Sequence, residues 1–146
     1  MKYNSYSKSD PIKNYFPLPN EIFCLGLSSG EISVYSYLLY CEDRKTFQCY
    51  PSYKTIGNAL KISKNTVQKY VAGLEEKGLI ATVPTKILKS NGIKYNGNLM
   101  YTIRPIEEAK EQYLQSQLRQ AELAMVQATA KRQLEEYGRK HRSKAM

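Results

Sequence analysis

The strongest constraint on the fold of this chain is a break of only three residues, at 61–63, between two segments with helical spacing of apolar residues. Pro51 and Ser52 can begin the first segment, whose apolar residues are Tyr53, Ile56, Ala59 and Leu60. Ser63 can cap the second segment, and Gly78 stands where a helix C-cap is expected. Two helices joined by so tight a turn form a helix-turn-helix arrangement.

The second of these helices, predicted over 63–77, has two different faces. At about 100° per residue, Tyr70, Val71 and Leu74 lie within about 60° of Val67 and form an apolar face. The polar residues of its first turns could contact DNA: Ser63, Lys64, Asn65, Thr66, Gln68 and Lys69. Asn and Gln can pair with adenine, Lys can donate to guanine, and hydroxyls at a helix N-terminus suit phosphate. The sequence therefore predicts that this helix enters the major groove.

The next turn of the same helix leaves two interpretations open. Ala72 and Gly73 are small, so they could keep this turn thin enough for a close approach to DNA. Glycine costs roughly 1 kcal/mol against alanine inside a helix, and Gly73 could equally serve only the packing of one helix on another.

A β-hairpin is predicted after this helix. LIATV (79–83) has the composition of a strand and ends at Pro84, and LMYTI (99–103) supplies a second apolar alternation. Between them lies a long loop rich in Gly, Asn and Lys. Lysines in such a wing can follow the phosphate backbone or reach the minor groove. The candidate DNA contacts here are Lys86 on the leading strand and Lys89, Asn91 and Lys94 in the loop, with Lys54 near the start of the preceding helix.

The residues before the helix-turn-helix predict an arm and one further helix. Residues 1–20 are polar and rich in Tyr and Pro, which is typical of an extended arm. After it, Ser28 and Glu31 have capping-box spacing and predict a helix over 29–42. The predicted domain, 21–104, is mostly α with a small β-hairpin (α+β). Apolar residues expected in its core include Phe16, Leu18, Ile22, Phe23, Ile32, Tyr35, Leu38 and Leu39.

A long helix is predicted over 105–137, where Gly and Pro are absent after Pro105. One apolar stripe has 4-3-4-3 spacing: Leu114, Leu118, Ala121, Met125 and Ala128. A second, neighbouring stripe is Leu123, Val126, Ala130 and Leu134. A small domain cannot bury stripes of this length alone, which favours dimerisation with a second copy of the helix. The alternative is partial packing on its own domain. Residues 138–146 are predicted to be a short, mobile basic tail.

The positive charge of the chain is concentrated in its middle third. The net charge is +9, yet residues 1–53 carry five Lys or Arg and five Asp or Glu. Residues 54–104 carry nine Lys or Arg against Glu75 and Glu76, a balance of +7, and residues 105–146 carry eight against six. A localised positive field attracts phosphate. The predicted partner is double-stranded DNA.

Several classes of function are disfavoured by composition. The three cysteines, Cys24, Cys41 and Cys49, form no C-x-x-C pair, and His141 is the only histidine. The sequence therefore predicts no metal site, no cofactor and no catalytic site, and no small-molecule ligand is evident. With no apolar run long enough for a membrane span and no signal-peptide pattern, a cytoplasmic protein without membrane contact is expected.

Residues 51–80 resemble the winged helix-turn-helix domains of bacterial regulators; their sequence is PSYKTIGNALKISKNTVQKYVAGLEEKGLI. The shared elements are PS before the first helix, S-x-x-TV at the start of the second, and LEEKGLI before the wing. When the preceding residues are included, the chain is similar to helix-turn-helix proteins of Gram-positive mobile elements; the segment that carries this likeness is FPLPNEIFCLGLSSGEISVYSYLLYCEDRKTFQCYPSYKTIG. Those proteins are often grouped with replication initiators of the A type and with conjugative-transposon regulators. The resemblance covers about 15–103 and implies DNA binding by the six polar residues of 63–69 named above. It also implies transcription or replication control on a mobile element or plasmid.

Two other functions stay open at this stage. The chain could be a protein-interaction module that acts as an adaptor through its long helix, although such a module has little need of the +7 middle third. Basic winged helices can also grip duplex RNA by shape. An enzyme is not expected.

Overall fold

The computed structural model describes residues 14–144, with side chains described to residue 142. The first thirteen residues of the predicted arm and the last two of the predicted tail lie outside this range. The helices are α1 (Ser29–Cys41), α2 (Tyr53–Leu60), α3 (Lys64–Glu76) and α4 (Ile106–Lys144), with a short 3-10 helix at Asn20–Cys24. The strands are β1 (Gln48–Cys49), β2 (Ile80–Val83), β3 (Lys86–Leu88), β4 (Lys94–Asn96) and β5 (Met100–Ile103). The predicted class, a mostly α winged helix-turn-helix followed by a long helix, is confirmed.

Helix α1 begins with the predicted capping box. The Ser28 hydroxyl accepts a hydrogen bond from the Glu31 backbone N–H at 3.2 Å, and the Glu31 carboxylate accepts one from the Ser28 backbone N–H at 2.9 Å. The pair satisfies two N–H groups that a helix start otherwise leaves without partners. The buried apolar residues of α1 are Val34, Tyr35, Leu38 and Leu39. Ile32, also expected in the core, is only half-buried.

The turn between α2 and α3 is as short as the sequence predicts. Lys61 ends α2 in the left-handed conformation, with φ of 61°, and the Gly57 carbonyl accepts a hydrogen bond from the Ile62 N–H at 3.0 Å. A Cβ at Gly57 would lie 2.6 Å from the Ile62 carbonyl oxygen, so a side chain there would push the turn apart. Ser63 then caps α3 through the Thr66 N–H. Gly57 and Lys61 thus fix the tight turn.

The wing differs from the predicted single hairpin with a long loop. β5 lies between β1 and β2 in one antiparallel sheet, and β3 pairs with β4 inside the segment that was expected to be a loop. The prediction of strands at 79–83 and 99–103 is confirmed by β2 and β5. The polar connection after α1 contains β1, a strand of two residues that the sequence did not indicate. Lys94, expected in the loop, is the first residue of β4.

The core lies where α1, α2, α3 and the three-stranded sheet meet. Its largest fully buried side chains include Tyr35 and Tyr101, and burial raises the pKa of the Tyr101 hydroxyl. Ile22 is buried as expected, and Phe16 and Leu18 are half-buried. The expectation that Phe23 contacts the core is wrong, because its side chain is 74% exposed.

Helix α4 is longer than predicted and begins inside the domain. Ile106 and Ala109 are buried, and the Gln112 amide donates a hydrogen bond to the Glu76 carbonyl. The chain divides into two compact units, one ending at Gln112 and one beginning at Tyr113. The expected end near Tyr137 is wrong, since the helix continues to Lys144 through most of the expected mobile tail. No helix in the described part of the chain has the length and apolar character needed to cross a membrane.

Candidate nucleic-acid interface

Helix α3 has the two faces that its sequence predicts. Val67, Val71 and Leu74 are buried, with exposures of 0%, 3% and 0%. Asn65, Lys69 and Ala72 on the opposite side are exposed, as are Gln68 at the flank and Lys64 in the first turn. The division into an inner and an outer face is therefore confirmed. Contact between the outer face and DNA stays a prediction.

The start of α3 presents a hydroxyl pair. The Ser63 and Thr66 hydroxyls share a hydrogen bond of 2.8 Å, and Ser63 also accepts the Thr66 backbone N–H. Because one hydroxyl donates to the other, one hydroxyl proton remains for an outside acceptor. Lys64 and Lys61 are exposed beside this pair. Lys61 was not singled out from the sequence, and its place in the turn is the signal that could have identified it.

Two glycines set the distance between α1 and α3. A Cβ at Gly30 would lie 2.0 Å from a carbon of the Tyr70 ring, and a Cβ at Gly73 would lie 2.4 Å from a Glu31 carboxylate oxygen. Each helix thus supplies a glycine that makes room for a side chain of the other. Gly73 faces α1, so its use in helix packing is the correct interpretation and its use in approach to DNA is wrong.

An ion pair ties the end of α3 to the start of α1. The Lys77 ammonium lies 2.8 Å from Glu31 Oε1 and also donates to the Gly26 carbonyl at 3.3 Å. Burial by itself would raise the pKa of the Glu31 carboxyl, but hydrogen bonds from Lys77 and Ser28 outweigh it and the pKa is lowered. The carboxylate is therefore charged at neutral pH and holds both helices. This contact fixes the direction in which the outer face of α3 points.

Most cations of the middle third are available to a partner. Lys77 pairs with Glu31, and Arg104 pairs with Glu108 at 2.6 Å. The other seven are exposed: Lys54, Lys61, Lys64, Lys69, Lys86, Lys89 and Lys94. They lie on α2, at the turn, on α3 and on the wing. The predicted lysines are thus all on the surface of the first unit.

The tip of the wing is shaped by its own side chains. The Asn91 side-chain oxygen accepts the Ile93 N–H at 3.0 Å, and Gly92 has a φ of 78° in the same turn. The Lys89 ammonium lies 4.6 Å from the centroid of the Tyr95 ring, a cation–π contact that the sequence analysis missed. Asn91 therefore has a structural role in the turn, and its contact with DNA stays a prediction.

The second unit, residues 113–144, exposes both apolar stripes of α4. The first stripe includes Leu114, Leu118 and Met125, which are 54%, 57% and 71% exposed, and its alanines, Ala121 and Ala128, are exposed as well. The prediction that the stripes are neighbours is wrong. In a continuous helix, about 100° per residue places their centres about 165° apart, on nearly opposite sides.

The side chains that could ligate a metal are spread over the described part of the chain. Within residues 14–144, no group of three or more His, Cys, Asp or Glu side chains is arranged to hold a metal ion. His141 stacks on Tyr137 on α4, with 3.8 Å between ring centroids.

Comparisons with known proteins find a domain match in the same region. A family model described as a helix-turn-helix domain matches residues 25–80, which contain α1, α2 and α3. No curated protein matches the chain. The match supports a helix-turn-helix domain in this part of the chain.

Three solved structures are similar to the chain at low identity. A possible transcriptional regulator from Methanosarcina mazei is 20% identical, with 70% of this chain and 80% of that one covered and a TM-score of 0.47. A protein from Sulfolobus tokodaii is 20% identical over 70% and 88%, with a TM-score of 0.44. A MarR-family transcriptional regulator from Silicibacter pomeroyi is 16% identical over 75% and 74%, with a TM-score of 0.37.

Proposed function

We propose that this chain is a sequence-specific, double-stranded DNA-binding regulator whose helix α3 lies in the major groove. The observation that carries the proposal is the outer face of α3. It exposes Asn65, Gln68 and Lys69 while Val67 and Leu74 anchor the opposite side in the core. These are side chains that form directed hydrogen bonds with base edges.

The rigidity of α3 supports this role. The close approaches at Gly30 and Gly73 and the ion pair between Glu31 and Lys77 hold α3 against α1. A reading helix fixed in this way loses little conformational freedom on binding, so more of its contact energy is available for discrimination between sequences.

The seven exposed lysines support a second part of the proposal, which is that the protein also contacts the DNA backbone. Those on the wing, Lys86, Lys89 and Lys94, and Lys54 on α2 would contact phosphates or the minor groove and position the protein without reading sequence. Ser63, Lys64 and Thr66 at the start of α3 would contact a phosphate, aided by the dipole of the helix.

The exposed first stripe of α4 supports a homodimer. Leu114, Leu118, Ala121, Met125 and Ala128 have the spacing of a coiled-coil seam and are exposed in the described structure. Two copies joined in this way would bind paired half-sites on DNA. The resemblance of 15–103 to mobile-element proteins adds the setting that we propose, transcription or replication control on a mobile element or plasmid.

Selection of bound fragments from host and element DNA with the purified full-length chain tests the function. We expect paired half-sites to be enriched, near a promoter for a regulator or at a replication origin for an initiator or accessory factor. A chain that shows no salt-sensitive affinity for any duplex would contradict DNA binding.

That negative result would favour the second candidate, an adaptor that binds other proteins through α4. The exposed apolar side chains of both α4 stripes are the observation in its favour, because large apolar patches often mark protein-interaction sites. A negative result with DNA and a positive one with duplex RNA would instead indicate shape-based RNA binding.

A further inference from the structure

The outer part of the wing carries an apolar side chain next to two lysines. Leu88 at the end of β3 pairs across the hairpin with Lys94, and Lys86 precedes it by two residues. Opposed residues and residues two apart share one face of a β-ladder, so Lys86, Leu88 and Lys94 lie on the same face. Leu88 is 67% exposed, more than Val83, Ile87, Ile93 or Tyr95.

The other face of the same hairpin is occupied by its own contacts. Ile87 pairs with Tyr95, and the Lys89 ammonium lies over the Tyr95 ring. The Asn91 amide donates to the Tyr95 hydroxyl at 3.4 Å, and a Cβ at Gly97 would lie 3.1 Å from an Ile87 side-chain carbon. This face therefore stabilises the hairpin. Leu88 on the other face is more exposed, at 67% against 53% for Ile87 and 41% for Tyr95.

Charge indicates what the Leu88 face would bind. From Lys77 to Ile106 the chain contains no Asp or Glu, and Lys86, Lys89 and Lys94 are exposed. A partner that fits must offer negative charge next to an apolar interior. The minor groove of DNA, about 6 Å wide between two phosphate backbones, has this form. Lys94 is on the neighbouring strand, about 4.8 Å from Leu88, and Lys86 is two residues along the same strand, about 6.6 Å away. Both lysines are therefore within reach of those backbones.

We propose that Leu88 is an apolar wedge that enters the minor groove at a base step, with Lys86 and Lys94 on the flanking phosphates. This inference rests on the proposed DNA binding and extends it. A wedge of this kind partly unstacks the step and kinks the duplex by about 20–90°. Because pyrimidine–purine steps kink most easily, the wing would add a preference for such a step at the edge of the site read by α3.

The test measures bending and affinity together on a duplex of about 30 base pairs that carries the site recovered by selection. Energy transfer between dyes at its two ends reports the bend when the full-length chain binds. We expect Leu88→Ala to remove the bend and to weaken binding about tenfold, as expected for the loss of a buried leucine contact. Leu88→Phe should keep the bend.

Ile87→Ala is the matched control, since Ile87 is 53% exposed on the opposite face of the same strand. It should keep the bend and lose less affinity than Leu88→Ala, because Ile87 supports the hairpin but does not lie on the face with Leu88. Leu88 is exposed, so the circular dichroism spectrum of Leu88→Ala should match that of the unaltered chain.

Three results would overturn the wedge while leaving DNA binding intact. The first is tight binding of the unaltered chain without a bend. The second is an equal loss in Ile87→Ala and Leu88→Ala, which would assign the effect to the hairpin itself. The third is a change in the sedimentation of DNA-free protein on Leu88→Ala, which would make a second copy the occupant. Failure of the unaltered chain to bind any duplex would overturn the proposed function together with the wedge.

Discussion

At the scale of single residues, two of the contacts between α1 and α3 are made where a glycine of one helix leaves room for a side chain of the other. The capping residues Ser28 and Glu31 were predictable, because their spacing is a local pattern. The use of Gly30 and Gly73 was not, because it depends on Tyr70 and Glu31 reaching across from the other helix. No spacing within one helix reveals which residue of another will occupy the room that a glycine leaves.

Gly73→Ala should lower the free energy of unfolding by about 1–2 kcal/mol, because it forces a methyl group into a filled site. This cost should exceed the gain from alanine being the better helix former. Its Cβ would lie 2.4 Å from Glu31 Oε2. Urea unfolding measures the change. In a Glu31→Ala background the same substitution should cost nothing. An equal cost in both backgrounds would show that the contact with Glu31 is not the cause.

The Glu31 carboxylate predicts a dependence of stability on pH. Its pKa in the folded chain is lowered, because the hydrogen bonds from Lys77 and Ser28 outweigh the effect of burial. Its stabilisation should therefore be complete above about pH 4.3, the pKa of an unfolded Glu, and should be lost as the pH falls through the folded value. Urea unfolding of the unaltered chain and of Glu31→Gln should converge over this acidic range. A constant difference between them would contradict the assignment.

At the scale of elements, the helices and the strands β2 and β5 were predictable, whereas β1, β3 and β4 were not. α1, α2 and α3 follow from caps and apolar periodicity, and they begin within a residue of the expected positions. β1 has two residues and exists through its pairing with β5, which lies more than fifty residues further along the chain. β3 and β4 lie in a segment rich in Lys, Asn and Gly, where the apolar alternation typical of a strand is weak.

The wing lysines give a prediction about salt. Lys89→Ala and Lys94→Ala should each weaken binding to every duplex alike and reduce the slope of log affinity against log salt by about one. Filter binding or fluorescence anisotropy at several salt concentrations measures this slope. Lys110→Ala on α4 is the control, since Lys110 pairs with Glu107 at 3.3 Å. A loss confined to one DNA sequence would show that the wing lysines read bases.

At the scale of the whole molecule, the chain combines a packed unit with a helical one. The first unit, which ends at Gln112, contains the core, the candidate reading helix and the wing. The second unit, from Tyr113, is helical to Lys144 and exposes apolar side chains on two sides. The sequence predicted a long helix with two stripes. Their opposite placement follows from about 100° per residue along this helix. It allows two different surfaces of α4 to be tested separately.

Leu118→Glu should convert the dimer to a monomer, because it places a charge in the centre of the proposed seam. Sedimentation equilibrium measures the mass. Leu134→Glu is the matched control: its side chain is 72% exposed on the opposite stripe, so the dimer should persist. A monomeric unaltered chain, or a dimer that tolerates Leu118→Glu and is lost in Leu134→Glu, would contradict the proposed seam.

The claim that α3 reads DNA is tested most directly by binding titrations on two duplexes, the selected one and a shuffled one. Each duplex is titrated with the double variant Asn65→Ala/Gln68→Ala and with the control Gln120→Ala on α4. All three side chains are exposed, so neither variant should alter the unfolding curve. We expect the α3 variant to lose about 10- to 100-fold of its affinity for the selected duplex and to keep its affinity for the shuffled one. The control should behave as the unaltered chain. Unchanged preference for the selected duplex in the α3 variant would contradict the claim that α3 reads DNA.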